Sequence, residues 1–199
     1  FADMTEFEDK LENLIKENNI DELIASVAGP KVNESIAMTN RDYVFNTNEI
    51  EKKFNLKKGT IFNLTGIRQR LISNKFETAE YLAINACKKF NKSKLKNITH
   101  IISVTNTPSK RFPGISNHVS TLLNLTNVHC LNLNLGCTGF VDALEISYEL
   151  IKNDKKNKIL IVTADTYSKF INKNDKAVRC LFSDGASSTL VTYKKNGLK

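Results

Sequence analysis

The second part of the sequence alternates between two hydrophobic patterns, and this alternation restricts the possible fold more than any other feature. Apolar residues recur at helical spacing over residues 76–90, which is typical of a helix that buries one face. The run at residues 159–162 is continuously apolar, which is typical of a strand buried on both faces of a sheet. Similar patterns predict helices at residues 116–125 and 140–151 and strands at residues 98–104, 128–133, 158–163 and 186–192. This order predicts an α/β fold in which helices cover a mostly parallel sheet.

The first part of the chain does not show this alternation of helix and strand patterns. Residues 4–18 place apolar side chains at helical spacing between acids, which predicts an amphipathic helix. Residues 29–48 are polar and rich in Asn, and we expect a long connection there until a helix signal begins at Thr47. We therefore divide the chain into an acidic helical extension, residues 1–22, and one domain, residues 23–199. The extension either packs on this domain or is the last helix of a preceding one, and the sequence leaves both open.

Composition excludes several classes of protein. A hydrophobic content of 41% supports a packed core. No apolar run approaches the roughly 20 residues needed to cross a bilayer, and no secretory leader is visible, so we expect a cytoplasmic protein without a membrane span. The net charge of +8 comes from a general excess of Lys rather than from a basic stripe, so nucleic-acid binding is not predicted. Because residues 1–25 carry a net charge of −6, the remainder is strongly basic and suits an anionic partner.

The four cysteines differ in their sequence surroundings. They form no Cys-x-x-Cys pair and have no His at zinc-site spacing, so neither a metal site nor a disulfide framework is predicted. Cys87 lies on the apolar face of the helix predicted at residues 76–90 and should be a core residue. Cys137 instead lies in the segment NLNLGCTGF, residues 132–140, between a predicted strand and a predicted helix. Only Cys137 therefore has the surroundings expected of a reactive cysteine.

The turn around Cys137 predicts a nucleophile. We expect Gly136 and Gly139 to supply backbone freedom for a tight turn that holds the thiol at its tip. The dipole and free amides at the start of the next helix favour a thiolate there. That helix should be anchored in the core by one apolar face, formed by Phe140, Val141, Leu144, Tyr148 and Ile151. The alternative from spacing alone is a cysteine that simply packs between strand and helix.

Four motifs, in order and at matching spacing, resemble those of a known family. They are T-G-I-R-Q-R at residues 65–70, Phe112-Pro113, the cysteine segment at residues 132–140, and F-S-D-G-A at residues 182–186. Together they span roughly residues 60–191 and resemble the ketoacyl-acyl-carrier-protein synthase III branch of the thiolase superfamily. The resemblance covers the amino-terminal half of that family's layered αβαβα fold.

The resemblance implies an activity for the complete enzyme. In that family the cysteine takes an acyl group from acyl-coenzyme A, and malonyl-acyl carrier protein then loses carbon dioxide and condenses with it in fatty-acid biosynthesis. No permanently bound cofactor is implied. The family's catalytic His and Asn come from the second half, and His100, His118 and His129 do not match that His. This chain alone should therefore be inactive. Two alternatives remain open: an acyltransferase that forms an ester or amide, and a non-catalytic half that binds acyl carrier protein.

The resemblance also implies substrate-binding residues. Phe112 would reach across a twofold axis and form part of the wall of the partner's acyl pocket, which implies a homodimer. Tyr167, Leu181 and Phe182 would line the acyl cavity, and Lys176 stands where relatives place an Arg near the coenzyme A phosphates. Each also has an ordinary structural interpretation, as a loop aromatic, a core residue or a solvated lysine. We expect Asp184, followed by Gly185, to form a turn rather than to act as a catalytic acid.

The sequence departs from the family pattern at several positions. Thr60 and Leu64 replace a Trp and an Arg that hold coenzyme A in relatives, and Asn132 replaces a common Asp before the nucleophile. These departures indicate a specialised paralogue, and a carrier protein is then an alternative donor of the acyl group.

Overall fold

The computed structural model describes residues 22–27, 31–32, 35–36, 44–175 and 177–194. The predicted helix at residues 4–18 lies outside the described residues, as does Lys176. None of the helices in the described part of the chain combines the length and apolar character needed to span a bilayer.

The described elements follow one another in an alternating order. The strands are β1 (Glu22–Val27), β2 (Lys31–Val32), β3 (Ser35–Ile36), β4 (Val44–Asn46), β5 (Gln69–Leu71), β6 (His100–Val104), β7 (His129–Leu133), β8 (Lys158–Asp165) and β9 (Gly185–Thr192). The helices are α1 (Thr47–Lys53), α2 (Thr60–Thr65), α3 (Ala79–Cys87), α4 (Ile115–Leu122) and α5 (Gly139–Asn153), with a 3₁₀ turn at Tyr167–Lys169. From α3 onward, each element lies where the sequence predicts it, with small differences at the ends.

The main sheet has five strands in the order β1-β9-β8-β6-β7. β6 pairs in parallel with both β7 and β8, whereas β9 is antiparallel to both β8 and β1. Four strands therefore share one direction and β9 alone runs the other way, which confirms the predicted mostly parallel sheet. β7 lies at one edge of this sheet.

Helices cover both faces of the sheet. Leu160 and Val162 of β8 belong to a core cluster with α3 and α4, whereas Ile159 and Ile161 belong to a second cluster with α5. Successive residues of a strand point to opposite faces, so β8 is buried on both sides, as its continuous apolar run predicts. The result is a three-layer α/β/α arrangement.

Residues 29–48 differ from the predicted long connection. β2 pairs with β3 in a short hairpin, and β4 pairs with β5, with Asn46 opposite Gln69. The strand signal is weak here because each segment is only two or three residues long. The partner of β4 also lies more than twenty residues further along the chain, so no local pattern reports the pairing.

Candidate active site

The candidate site lies at the carboxyl ends of three neighbouring parallel strands of the main sheet. β7, β6 and β8 are neighbours and run in the same direction, so the loops that follow them meet at their carboxyl ends. Cys137 lies in the loop after β7, Asn106 in the loop after β6, and Tyr167 in the 3₁₀ turn after β8. The carboxyl ends of the strands are where ligands bind in open α/β sheets.

Cys137 is the exposed cysteine among the four in the chain. Cys87 and Cys180 are buried and Cys130 is half-buried. Burial raises the pKa of Cys87 to about 12, and the neighbouring Ser188 offsets only part of that effect. Cys87 is therefore an unreactive core residue, as predicted, and Cys137 is the accessible thiol.

The turn that carries Cys137 leads directly into α5. The Gly139 N–H donates to the Gly136 carbonyl at 2.9 Å, and the Asp142 N–H donates to the Thr138 carbonyl at 3.1 Å. Cys137 thus lies two residues before the first residue of a 15-residue helix, near the positive end of its dipole. The buried face of α5 is formed by Gly139, Ala143, Leu144, Ser147 and Ile151. The prediction that Val141 belongs to the anchoring face is wrong, because this side chain is 38% exposed.

Gly139 is needed for space, and neither glycine of the turn supplies the backbone freedom that the sequence predicts. Neither Gly136 nor Gly139 adopts a positive φ, whereas Gly59 and Gly66 do. A Cβ atom on Gly139 would stand 2.4 Å from Cγ1 of Val104 and 2.8 Å from Cβ of Leu135. The first turn of α5 therefore packs directly against the end of β6, and no side chain fits between them.

Replacing Gly139 with Ala is expected to lower the free energy of unfolding by about 1–3 kcal/mol, because the added methyl group overlaps the buried Val104 side chain and Cβ of Leu135. Urea unfolding of the whole protein measures the change. Gly136→Ala is the matched control: its Cβ would stand 3.3 Å from the Asn106 amide nitrogen, at the end of an exposed side chain that can move. Equal stabilities of the two variants would contradict the steric explanation.

The carboxylate of Asp165 joins the loops after β6 and β8 through hydrogen bonds. Oδ1 of Asp165 accepts hydrogen bonds from the N–H of Asn106 at 2.8 Å, the N–H of Thr107 at 3.1 Å and the hydroxyl of Thr107 at 2.8 Å. The Thr107 hydroxyl oxygen in turn accepts from the Thr166 N–H at 2.7 Å. Sequence analysis missed this arrangement, although an Asp at the end of a buried strand was a usable signal. The hydrogen bonds hold the loop that carries Asn106 in one position.

Two of the predicted acyl-cavity residues lie together. The rings of Tyr167 and Phe182 are 4.7 Å apart between centroids and tilted by 36°. The Asn106 amide donates to the Tyr167 hydroxyl oxygen at 3.0 Å. Leu181 is 45% exposed, so the interpretation of Leu181 as a core residue is wrong. Phe112 is 88% exposed in the segment before α4, so its side chain is available for contact with another surface.

Asp184 is a buried hydrogen-bonding centre rather than the turn former that the sequence predicts. Its side chain is fully buried. Oδ2 accepts from the N–H and the hydroxyl of Ser73, both at 2.7 Å, and also from the hydroxyl of Ser168. Oδ1 accepts from the Ser168 N–H at 2.9 Å. Asp184 therefore joins the segment after β5, the 3₁₀ turn and the start of β9.

Asn132 has a structural role at the start of α4. Its Oδ1 accepts from the hydroxyl of Ser103 at 2.7 Å and from the hydroxyl and N–H of Ser116 at 2.9 and 3.1 Å. An amide oxygen accepts these bonds as a carboxylate would, and the amide nitrogen donates to Asn117 at 3.3 Å. The replacement of the usual Asp therefore leaves the start of α4 held to the sheet.

His100 and His129 lie away from Cys137. His100 and His129 begin β6 and β7, and their rings stack with centroids 4.9 Å apart. Burial, and to a smaller extent the neighbouring His129, lowers the pKa of His100. Because β7 rises about 3.3 Å per residue, roughly 13 Å separates this end of the strand from the Cys137 turn. His118 lies on α4.

Comparison with known proteins agrees with this geometry. The profile of the family described as 3-Oxoacyl-acyl-carrier-protein (ACP) synthase III matches residues 131–199. Beta-ketoacyl-acyl-carrier-protein synthase III 2 of Bacillus cereus is 30% identical over 159 residues, which are 78% of this chain and 48% of that protein. The structure of synthase III from Thermus thermophilus has a TM-score of 0.76 at 26% identity and covers 90% of this chain and 52% of its own. The Aquifex aeolicus enzyme has a TM-score of 0.74 at 27% identity, with coverages of 89% and 54%.

The layered sheet and the cysteine at the start of α5 define a protein with the thiolase-like fold. Within that class, the chain belongs to the ketoacyl-acyl-carrier-protein synthase III family. It spans about half the length of the curated relatives that it matches.

Proposed function

We propose that this chain is the part of a ketoacyl-acyl-carrier-protein synthase that carries the acyl group, as a thioester on Cys137. The observation that carries the proposal is the exposed Cys137 thiol at the start of α5, in a fold shared with synthase III enzymes. The substrates would be acyl-coenzyme A and malonyl-acyl carrier protein, and the product a 3-ketoacyl chain in fatty-acid biosynthesis.

The proposed reaction has two steps. The Cys137 thiolate attacks the carbonyl carbon of acyl-coenzyme A, a new carbon–sulfur bond forms, and the coenzyme A thiolate leaves. Malonyl carrier then loses carbon dioxide and keeps the electron pair on its α-carbon as an enolate. The enolate attacks the Cys137 thioester, a carbon–carbon bond forms, and the cysteine thiolate leaves.

The elements around Cys137 support the first step. The turn that carries Cys137 lies at the positive end of the α5 dipole, and the peptide N–H of Cys137 is a candidate donor to the oxyanion that forms on the attacked carbonyl. Groups that assist decarboxylation would come from the remainder of the protein, because His100 and His129 begin β6 and β7, whereas the Cys137 turn follows the carboxyl end of β7. The chain alone should therefore lack condensing activity.

A homodimer with two complementary sites is part of the proposal. Phe112 is 88% exposed and β7 forms an edge of the sheet next to the Cys137 turn, so both features favour contact with a second copy along that edge. The basic character of the chain after residue 25 favours anionic partners, which include coenzyme A and acyl carrier protein. Lys176 would contribute to the coenzyme A site.

Release of carbon dioxide from carboxyl-labelled malonyl-acyl carrier protein tests the reaction type. The whole protein, supplied with acyl-coenzyme A, is expected to release labelled carbon dioxide in step with 3-ketoacyl product. Cys130→Ser, which changes a half-buried cysteine on β7, should retain this activity. Transfer of the acyl group to a hydroxyl or amine without carbon dioxide release would show an ester- or amide-forming acyltransferase instead.

A further inference from the structure

A groove lies at the amino ends of β6 and β7, at the opposite end of these strands from the Cys137 turn. It has a volume of about 670 Å³ and is formed by residues 88–98, between α3 and β6, and residues 122–128, between the end of α4 and β7. The apolar residues that line it are Phe90, Leu95, Ile98, Leu122, Leu123, Leu125 and Val128. The Leu122 side chain is 56% exposed, so apolar surface of the groove is open to solvent in the described part of the chain.

The border of the groove is basic. Three exposed lysines line it, Lys88, Lys92 and Lys96. The two segments that form it, residues 88–98 and 122–128, contain five lysines and neither Asp nor Glu. We refer to this groove as the lysine groove. Its apolar floor and basic border favour an occupant that has an apolar face and acidic side chains.

The chain enters the main sheet at the same end as the lysine groove. β1 begins at Glu22, which lies opposite Thr192 of β9, and Thr192 in turn lies opposite Lys158 at the start of β8. Neighbouring strands are about 4.8 Å apart, so the backbone at Glu22 is about 10 Å from that at Lys158. Nζ of Lys158 donates to the carbonyl of Lys96, a residue of the groove lining, at 2.9 Å. The segment that precedes Glu22 is therefore attached close to the groove.

That segment has the composition and the length to occupy the groove. The sequence predicts an amphipathic helix at residues 4–18, which contain five acidic and two basic side chains and so carry a net charge of −3. The apolar face of this helix is formed by Phe7, Leu11, Leu14 and Ile15. A helix of 15 residues is about 22 Å long, and the residues between it and β1 span up to about 10 Å. The predicted helix can therefore reach the groove while it remains attached to β1.

We propose that residues 4–18 bind in the lysine groove of their own chain as an amphipathic helix. The apolar face of the helix covers the floor of the groove, and its acidic side chains pair with the lysines at the border. Of the two roles that the sequence leaves open for the acidic extension, this selects packing on its own domain. The inference is independent of the proposed function, because it involves no residue of the Cys137 turn.

Hydrogen–deuterium exchange of the whole protein, followed by mass spectrometry, tests whether the groove holds the segment. We expect the backbone amides of residues 4–18 to exchange about tenfold faster in Lys92→Glu/Lys96→Glu than in wild type, because the substituted border repels the acidic segment. Adding Glu8→Lys and Glu12→Lys to this variant should restore slow exchange. These two acids are one helical turn apart, so the additional changes reverse the charge along one side of the predicted helix.

Lys57→Glu/Lys58→Glu is the matched control for the groove variant. It makes the same change in net charge at two exposed lysines between α1 and α2, and it should leave the exchange of residues 4–18 unchanged. Equal exchange rates in wild type and in the groove variant would overturn the proposal. An equal increase in the control variant would do the same, because it would show an effect of net charge alone.

Carbodiimide cross-linking identifies the occupant of the groove. The reagent joins a carboxylate to a nearby amine through an amide bond, and a mixture of isotopically light and heavy protein shows whether both residues belong to one chain. We expect acids of residues 4–18 to be joined to Lys88, Lys92 or Lys96 within a single chain. Links between light and heavy chains would assign the groove to a second copy and contradict the proposal. Links confined to other lysines, or the absence of links to the groove, would contradict it as well.

Discussion

Replacing Cys137 with Ser is expected to lower the rate of 3-ketoacyl formation in the whole protein by about 10³-fold or more. A serine hydroxyl is a weak nucleophile unless a base removes its proton, and His100 and His129 lie at the opposite ends of β6 and β7 from this position. A helix dipole does not ionise an alcohol to a useful extent. Steady-state assay of product formation measures the loss.

The control for this substitution is Cys130→Ser on the edge strand β7, seven residues earlier. It makes the same chemical change at a half-buried cysteine and should leave the rate within a few-fold of wild type. Equal losses in the two variants would indicate damage to the fold rather than removal of a nucleophile. Full activity of Cys137→Ser would exclude covalent catalysis by Cys137.

The largest expected effect on stability comes from Asp184→Ala, which should lower the free energy of unfolding by about 3–5 kcal/mol. The carboxylate is fully buried and accepts from both backbone and side chain of Ser73 and of Ser168. Its removal leaves the buried Ser73 donors and the half-buried Ser168 donors without this acceptor, and it separates three segments that Asp184 joins. Urea unfolding followed by circular dichroism measures the change.

Asp154→Ala is the matched control. Asp154 is exposed and its carboxylate accepts from the Lys156 N–H at 2.9 Å, so its loss should cost less than about 1 kcal/mol. A similar small loss for Asp184→Ala would show that Asp184 is the simple turn former that the sequence predicts.

The parts of the fold that sequence analysis predicts are those with a local pattern. β8 is a run of apolar residues, and α3 and α5 repeat apolar residues at helical spacing. The buried positions of these elements can therefore be recognised in the sequence. The position of Cys137 between β7 and α5 follows from the same patterns, and the structure confirms that its thiol is exposed. The pairing of β4 with β5 produces no such local pattern, because it joins segments that are far apart in the chain.

The details of the site depend on contacts between distant residues, so the sequence does not predict them. The need for glycine at position 139 comes from Val104, which lies on a different strand. The roles of Asp165 and Asp184 likewise depend on hydrogen-bond partners in other loops. The sequence around Asp184, which precedes a glycine, is by itself typical of a turn. Asn106 belongs to no recognised motif, and its hydrogen bond to Tyr167 joins loops that follow two different strands.

Peptide mapping by mass spectrometry tests the central claim most directly. The whole protein is incubated with acetyl-coenzyme A, digested, and searched for the acetyl group. We predict that the group lies on the peptide that contains Cys137, that hydroxylamine releases it as expected for a thioester, and that prior alkylation with iodoacetamide prevents its attachment. An acetyl group on another residue, or a thioester that persists in Cys137→Ser, would contradict the assignment of Cys137 as the acyl carrier.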